Sequence, residues 1–522
     1  MDLGKRVFTV GGWTLVSRVL GLVRDRLWAG GLGGSLTLDC FLMAFALPNL
    51  LRNLFGEGAL AAAFVPRYVQ ALARDRNQAE HFAGTVITRL ALLLSGVSAL
   101  GMAAAGALYW YGAGQGAAWE RTTLVALLSI PQIPYLLFIC VAAMMSGVLN
   151  GRRRFAAAAA APVVLNLVLI STAGLGAERE SRVLPYAVLL AGVLQVVLLG
   201  IALKRSGGIP PLQARATAQE GELRRAVVPT LIASGIYQLN AYLDTVIAMI
   251  FVLGDGPVSY LYFGNRLLQF PLALIGHGVT TAAYPELASS AGAGWPATGR
   301  GLREACRLLS FWLLPAAVGL LVTAEPVVRT IYQSGRFGDE AIARTVLVTE
   351  MLSLALVPIA LAKLLMRAFH ARLDQRTPMR ISLAMVALNL ALNLVLVQTS
   401  LREAGLALAT AISSAVGCAA YLVTLQRLGA GWVLDLRTLL RPGLAALVMA
   451  GGVAGLLHWW PQPPGRGSGL AALRLAVAVA LGLALYLPIA GTAWLRHRAP
   501  VVATVPGAPG APGAPAGGDL TS

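Results

Sequence analysis

The stretch from Tyr135 to Ser171 reads YLLFICVAAMMSGVLN, then GRRRF, then AAAAAAPVVLNLVLIS. Two uncharged runs of small and branched apolar residues flank a turn holding three successive arginines, Arg152, Arg153 and Arg154. Helices that are apolar all round are buried ones, and with their apolar flanks these runs are long enough to cross about 30 Å of hydrocarbon. The arginines then mark a turn on the positive side of a bilayer. Outward from this stretch the same alternation of apolar run and charged or Gly/Pro-rich break fills the 522 residues, of which 57% are hydrophobic and 12% charged. A soluble domain carries about 25% charge, so an ordinary cytosolic enzyme is excluded.

Breaking the chain at those points predicts an all-α polytopic membrane protein of about 14 transmembrane helices, near 7–28, 36–60, 82–110, 122–149, 157–176, 183–203, 227–253, 257–288, 304–324, 343–369, 379–399, 404–426, 439–459 and 470–495. Lys5 and Arg6 precede the first run as in a signal peptide, but Arg18 and Arg24 interrupt it and no small-residue cleavage site follows. That segment is expected to be retained. With these limits the N-terminus, the even-numbered loops and the tail hold about 24 Lys/Arg against about 8 in the odd-numbered loops. Both termini are therefore expected in the cytoplasm. The net charge of +18 is read as topology signal beside anionic membrane lipids, and no nucleic-acid partner is expected. Cys40, Cys140, Cys306 and Cys418 show no CxxC or Cys/His spacing, which supports neither a disulfide framework nor a thiolate metal site.

Two echoes stand about 220 residues apart. Gly56-Glu57-Gly58 leading to Phe64 and Pro66 matches Gly276-His277-Gly278 leading to Tyr284 and Pro285. Asn150 to Phe155, followed by Pro162 and Asn166, matches His370 to Arg376, followed by Pro378 and Asn389. Six helices separate the copies, so the halves are parallel repeats about an axis along the membrane normal. The expected organisation is an N-terminal six-helix bundle (1–203), a basic cytoplasmic linker (204–226), a C-terminal six-helix bundle (227–426), helices 13 and 14 (427–498) and a disordered Gly/Ala/Pro tail (499–522).

Ionisable residues inside spans cost at least about 2.5–3.5 kcal/mol each and need a partner, a wet cavity or a task. Helix 1 carries Ser17, Arg18, Arg24, Asp25 and Arg26, with positions 18 and 25 on one face, as are 17 and 24, and with Gly21 available for a bend. Helix 2 carries Asp39 and, beyond Pro48, Asn49 and Arg52 at i,i+3; helix 8 adds Tyr262, Arg266 and Gln269. The guanidinium groups of Arg24, Arg52 and Arg266 outnumber the neighbouring carboxylates. A cavity lined this way should hold an anion, phosphate above all, although pairing of Arg18 and Arg24 with Asp25 or Asp39 would serve packing alone. Arg26 is expected to snorkel to an interface, as are Arg89, Lys363, Arg367 and Arg474 at helix ends. Helix 7 presents Tyr237, Asn240 and Asp244 on one stripe; with Asn389 and Asn393 of helix 11 and Thr410 of helix 12, Asp244 makes a candidate Na+ site. An Asp244–Arg266 ion pair and plain interhelical hydrogen bonding are the other readings.

Together, Ser17-Arg18-Val19-Leu20-Gly21 with Arg24-Asp25, Leu47-Pro48-Asn49-Leu50-Leu51-Arg52 with Gly56-Glu57-Gly58, Asn265-Arg266-Leu267 with Phe270-Pro271-Leu272, and Tyr332 to Phe337 (YQSGRF) resemble the MurJ (MviN) family of lipid II flippases, of the multidrug/oligosaccharidyl-lipid/polysaccharide (MOP) exporter superfamily. The resemblance covers roughly residues 3–495. It implies a bacterial inner-membrane transporter, not an enzyme, that carries lipid II to the periplasmic leaflet by alternating access. The family's cavity arginines fall on Arg18, Arg24, Arg52 and Arg266, with Asp25 and Asp39 beside them. Some members carry Glu near Gln269, and the cation site suggested in the family would have a carboxylate near Asn393, both neutral here. No cofactor is implied; Na+ or membrane potential are the candidate driving forces, and the cell-wall synthesis machinery is the candidate protein partner. Helices 13 and 14 would form a groove for the isoprenoid tail. Two readings stay beside this one: a flippase for another polyprenyl-pyrophosphate-linked glycan uses the same anion logic, and a drug/cation antiporter of the superfamily would want a net acidic or aromatic cavity. A membrane glycosyltransferase would want acidic catalytic residues and a large outer loop, and the odd-numbered loops are short.

Overall fold

With no water to receive them, peptide groups inside a bilayer must bond within their own segment, and the apolar runs accordingly form helices. The computed structural model describes residues 3–55, 59–116, 119–175, 177–213, 221, 238–461 and 469–495. The N-half comprises α1 (Leu3–Leu32), α2 (Leu36–Phe55), α3 (Ala59–Arg74), α4 (Arg76–Gly112), α5 (Glu120–Gln132), α6 (Tyr135–Gly151), α7 (Phe155–Ser171) and α8 (Ala177–Arg205). The C-half follows with α9 over 238–251, α10 (Pro257–Pro271), α11 (His277–Ser290), α12 (Trp295–Val322), α13 (Ala324–Tyr332), α14 (Asp339–Ala371), α15 (Arg376–Leu396) and α16 (Glu403–Arg427), and then the pair α17 (Leu436–Trp459) and α18 (Gly469–Leu495). Among the described residues eight helices are long and apolar enough to cross a membrane, or nine if α5 and α6, which meet at a 40° bend, form one span. Pro131 and Pro134 flank that bend, where missing N–H groups break the ladder.

Several expected boundaries shift for local reasons. Of the helix expected over 36–60, α2 is described to Phe55 and α3 runs from Ala59 on to Arg74; Gly56-Glu57-Gly58 lies outside the described residues. The helix expected over 257–288 is interrupted by a π turn, Leu272–Gly276, directly after Pro271, whose ring cannot take the regular bond. Expected at 304, α12 begins at Trp295, and a short helix, α13, occupies the loop that follows it. Of the 204–226 linker, 204–213 and 221 are described; Arg215, Arg224, Arg225, Tyr237 of the helix 7 stripe and the 499–522 tail lie outside the described residues.

Backbone geometry repeats between the halves at the spacing the sequence echoes. Arg153 and Leu373, 220 positions apart, are both non-glycine residues in the left-handed region, with φ of 59° and 61°. Each closes a helix by the same wrap: Arg154 N–H donates to Leu149 O at 2.8 Å, and Asp374 N–H to Phe369 O at 3.0 Å. The ends of α8 and α16 match as well, Gly208 N–H donating to Leu203 O at 3.1 Å and Ala430 N–H to Leu425 O at 3.0 Å. Beyond these ends the chain crosses a helix at a glycine in both halves. A Cβ on Gly84 of α4 would stand 1.9 Å from Pro211 O, and one on Gly299 of α12 would stand 2.1 Å from Ala430 O.

The largest apolar core is continuous across the halves, running from Trp28 and Phe41 through Phe263 to Phe369 and Tyr421. A second core, around Phe64, Tyr68 and Phe82, belongs to the N-half alone. There the Gly147-x-x-x-Gly151 spacing does what small residues at a helix contact do: Cβ atoms would lie 3.3 Å from the Phe64 ring and 2.6 Å from the Tyr68 ring. Just beyond that contact Arg152 pairs with Glu80 at 2.5 Å and donates to the Tyr68 hydroxyl at 3.1 Å, so one of the three turn arginines also fastens α6 to α4. The pair α17–α18 packs on α12, where the Tyr486 hydroxyl donates to Phe311 O. Arg474 corrects an expectation: it is buried, and its Nη2 donates to Leu457 O at 2.8 Å, tying α18 to α17.

Candidate functional site

Where α1 ends and α2 and α10 begin, the two halves meet; this is the upper end of the molecule. Asp25 of α1 is completely buried and lies between two arginines, one from each half. Arg24 donates to Asp25 Oδ1 through Nε at 3.0 Å and Nη2 at 2.7 Å, and Arg266 of α10 donates through Nε to Asp25 Oδ2 at 2.8 Å. The Tyr262 hydroxyl accepts from Arg24 Nη2 at 2.7 Å and donates to Asp25 Oδ1 at 3.0 Å. On the remaining side Arg24 Nη1 donates to Asn166 Oδ1 at 3.0 Å, while Asn166 Nδ2 donates to Ser17 O at 2.9 Å and reaches Ser17 Oγ at 3.3 Å. The Trp28 ring, one turn on, covers the Arg24 guanidinium at 4.6 Å. Each charge here has the partners that burial demands.

Gly21 sets the spacing. It is buried beneath Arg266, and a Cβ there would stand 2.6 Å from Arg266 Nη2. Its role is room for a guanidinium, where the sequence suggested only a bend.

Arg18 and Arg52 form a separate, lower tier. By helical rise Asp25 is about 10 Å and Arg18 about 21 Å below the α1 end at Leu32, Arg52 is about 24 Å below the α2 start at Leu36, and Arg266 about 14 Å below Pro257. Arg18 is exposed, seven residues from Asp25 and so on the same face of α1. Arg52 is half-buried, and its Nε and Nη2 donate to Asn49 Oδ1 at 3.2 and 3.1 Å, the i,i+3 pair the sequence placed there. Gln269 is exposed, three residues beyond Arg266. The arrangement presents net charge of one sign at two heights.

Asp39 stands apart from both tiers. Its Oδ2 accepts from Gly256 N–H at 2.8 Å, and its Oδ1 accepts from Ser259 N–H at 2.8 Å and Ser259 Oγ at 2.6 Å, so it caps α10 from the other half. Gly256 has φ of 98°, which presents its N–H to that carboxylate. Arg26 likewise departs from the expected snorkel: Nη1 donates to Thr330 O at 2.7 Å and Ile331 O at 2.8 Å in the last turn of α13.

The candidate Na+ residues converge in the C-half. Asp244 Oδ1 accepts from Asn393 Nδ2 at 2.6 Å, and Asp244 Oδ2 lies 3.5 Å from the Thr410 hydroxyl. Asn389 lies within hydrogen-bond reach of Asn240, Asp244, Asn393, Thr410 and Ser413. Asn393 is fully buried, and its Oδ1 has no hydrogen-bond partner among the described residues. Arg266 bonds Asp25, which sets aside the Asp244–Arg266 pairing. Arg24 and Asp244 are 220 positions apart, and each lies beside a buried asparagine of its own half, Arg24 donating to Asn166 and Asp244 within hydrogen-bond reach of Asn389. Equivalent places in the repeat thus carry opposite charges. Asn166 and Trp28 escaped the sequence reading as site residues; the signal for Asn166 was a lone amide in the all-apolar α7, noted only as part of the repeat.

Comparison with known proteins follows the same lines. The family model described as lipid II flippase MurJ matches residues 28–471. A probable lipid II flippase MurJ of Rhizobium tropici is 33% identical over 508 residues, covering 94% of each chain. One from Rhizobium meliloti strain 1021 is 35% identical over 517 residues, again covering 94% of each. Among solved structures, one titled lipid II flippase MurJ, inward closed conformation, superposes with a TM-score of 0.76 at 22% identity, covering 93% of this chain and 99% of its own. An inward-facing multidrug resistance MATE family transporter of the MOP superfamily gives 0.65 at 16% identity over 79% of this chain and 95% of its own, a likeness of fold.

Proposed function

Because the chain belongs to the MurJ family of lipid II flippases, we propose that its two arginine tiers are the path by which the lipid II pyrophosphate crosses the membrane. The protein is a multi-pass membrane transporter of lipid II, not an enzyme. A pyrophosphate diester carries about two negative charges, and guanidinium forks bind such oxygens in pairs. Moving it through hydrocarbon uncompensated is prohibitive, whereas four arginines and one aspartate leave a net charge of about +3 along the route. The observation that carries this reading is Asp25, a carboxylate held between arginines of both halves where an anionic substrate would also bind.

The excess of Lys and Arg in the even-numbered loops supports cytoplasmic termini, which makes the upper end periplasmic. In that orientation the contacts of Asp25 with Arg266 and of Asp39 with Gly256 and Ser259 close the periplasmic side. Lipid II enters from the cytoplasmic leaflet to Arg18 and Arg52, advances to Arg24 and Arg266 in competition with Asp25, and leaves when the halves part. The pair α17–α18 offers a lipid-facing surface along which the isoprenoid tail can travel. This reading makes it a protein of the bacterial inner membrane, with anionic lipid and the cell-wall synthesis machinery as its expected neighbours.

The residues around Asp244 fit a Na+ ion: one carboxylate with the oxygens of Asn389, Asn393 and Thr410 is a hard donor set, and the orphaned Asn393 Oδ1 is an acceptor of the right kind. Bound there, Na+ would neutralise the one carboxylate of the cluster.

The deciding experiment depletes the protein and measures lipid II in the inner leaflet of spheroplasts. Lipid II should accumulate and clear on restoring wild type, but not on supplying Arg52→Ala or Arg266→Ala at equal abundance. Clearance by both variants overturns the cavity assignment. A different lipid-linked glycan accumulating in its place overturns the substrate.

A further inference from the structure

One stripe of α1 has been left without a task. Arg26 and Gly30, one turn apart on a face of α1 different from that of Asp25, and Gly33, just past the end of the helix, all meet the segment 330–337, which includes the YQSGRF motif. Arg26 Nη1 closes the C-terminal end of α13 by donating to Thr330 O and Ile331 O at 2.7 and 2.8 Å, where a cation also complements the helix dipole. Ser334 Oγ donates back to Arg26 O at 3.4 Å, and Arg336 N–H donates to Gly30 O at 2.9 Å. Backbone touches backbone because glycines allow it. A Cβ on Gly335, whose φ is 49°, would stand 2.0 Å from Gly30 O, and one on Gly33, whose φ is 66°, would stand 2.9 Å from Arg336 O.

The partners belong to opposite halves and lie at the same end as the Asp25 and Asp39 contacts. We propose that residues 330–337 are the C-half's latch onto the Arg26-Gly30-Gly33 stripe, and that this latch must release in every transport cycle. Arg26 is its positioning residue: it bears on the substrate only by holding the periplasmic side shut while the head group loads. The inference rests on the orientation and alternating access proposed above.

A disulfide across the latch tests it. A Cβ on Gly30 would stand 3.4 Å from Ser334 Cβ, close to the roughly 3.5–4.5 Å of natural disulfides, and the four native cysteines are buried and free. In cells carrying Gly30→Cys with Ser334→Cys, oxidation should cross-link the pair, stop lipid II clearance and trap the upper end closed; reduction should restore clearance. Transport by the oxidised, cross-linked protein at the reduced rate would overturn the proposal, and so would failure of the pair to cross-link. Ser334→Cys alone gives a second readout that needs no engineered pair. Its labelling by a membrane-impermeant maleimide from the periplasm should rise about tenfold when Arg26→Gln removes a charged hydrogen bond. Unchanged labelling would count against the latch. Cross-linking and maleimide labelling are read on the protein itself, so a wrong substrate would leave them intact and appear only in the lipid II clearance.

Discussion

Replacing Gly21 by alanine separates the position of Arg266 from its charge. The new Cβ would lie 2.6 Å from Arg266 Nη2 and 3.7 Å from its Cζ, so the guanidinium must retreat by about 1 Å to reach ordinary contact near 3.5 Å. Its Nε bond to Asp25, now 2.8 Å, then passes beyond hydrogen-bond range. A charged hydrogen bond is worth about 1.5–3 kcal/mol, which sets the expected loss of transport at about 10- to 100-fold. Alanine returns about 1 kcal/mol over glycine within a helix, so stability falls by only about 0.5–2 kcal/mol. The expected outcome is a melting temperature near wild type with lipid II clearance from spheroplasts strongly slowed. Gly12→Ala is the control: it lies in the same helix with nothing within 4 Å, and should transport normally. Wild-type clearance by Gly21→Ala would refute the claim that the Arg266 position matters.

Thermal stability in Na+ and in K+ tests the Asp244 cluster. Na+ at about 100 times its Kd should stabilise wild type by about 2.7 kcal/mol, and Asp244→Asn should erase the difference; equal stability of wild type in the two salts removes Na+ from the site. A pH prediction concerns Asp374 in the turn between α14 and α15. Slight burial raises its pKa, but hydrogen bonds from Thr377 and from the N–H groups of Arg376 and Thr377, with the charge of His370, hold it below the ordinary aspartate value. Its contribution is therefore complete above the unfolded aspartate range near 3.9 and lost as pH falls through the lower folded value. Asp374→Ala should cost about 1 kcal/mol at neutral pH and nothing once the carboxyl is protonated; an equal cost at both pH values contradicts the cap.

Much of this was legible because membrane chemistry leaves few options. An apolar run has to be a helix, and an arginine in it has to be explained, so Arg24, Asp25, Arg52, Arg266 and the Asp244 cluster could be picked out from spacing alone. Partners across the halves could not. Asp39 looked like a neighbour of the cavity, yet it caps α10 from some 220 residues away in the chain, because a helix start offers N–H groups that sequence does not advertise. Arg26 looked like an interfacial cation for the same reason, its acceptors being the carbonyls at the end of α13. Breaks inside helices, such as the π turn after Pro271, depend on how neighbours repair a missing bond. Glycines such as Gly21, Gly84 and Gly299 reveal their purpose only when the atom opposite is known.

Asp25 has one more consequence. A carrier built only of arginines would be a trap when empty, its like charges driving the halves apart and its grip on an anion too firm to release. With a carboxylate built into the seat, the unloaded protein carries its own counterion and can close, reopen and return without cargo. On the proposed path substrate would exchange one anion for another, and turnover would be set by the difference between the affinities of the two. Unidirectional export must in that case be driven by what removes lipid II on the far side or by the membrane's own gradients, since the seat itself favours neither leaflet.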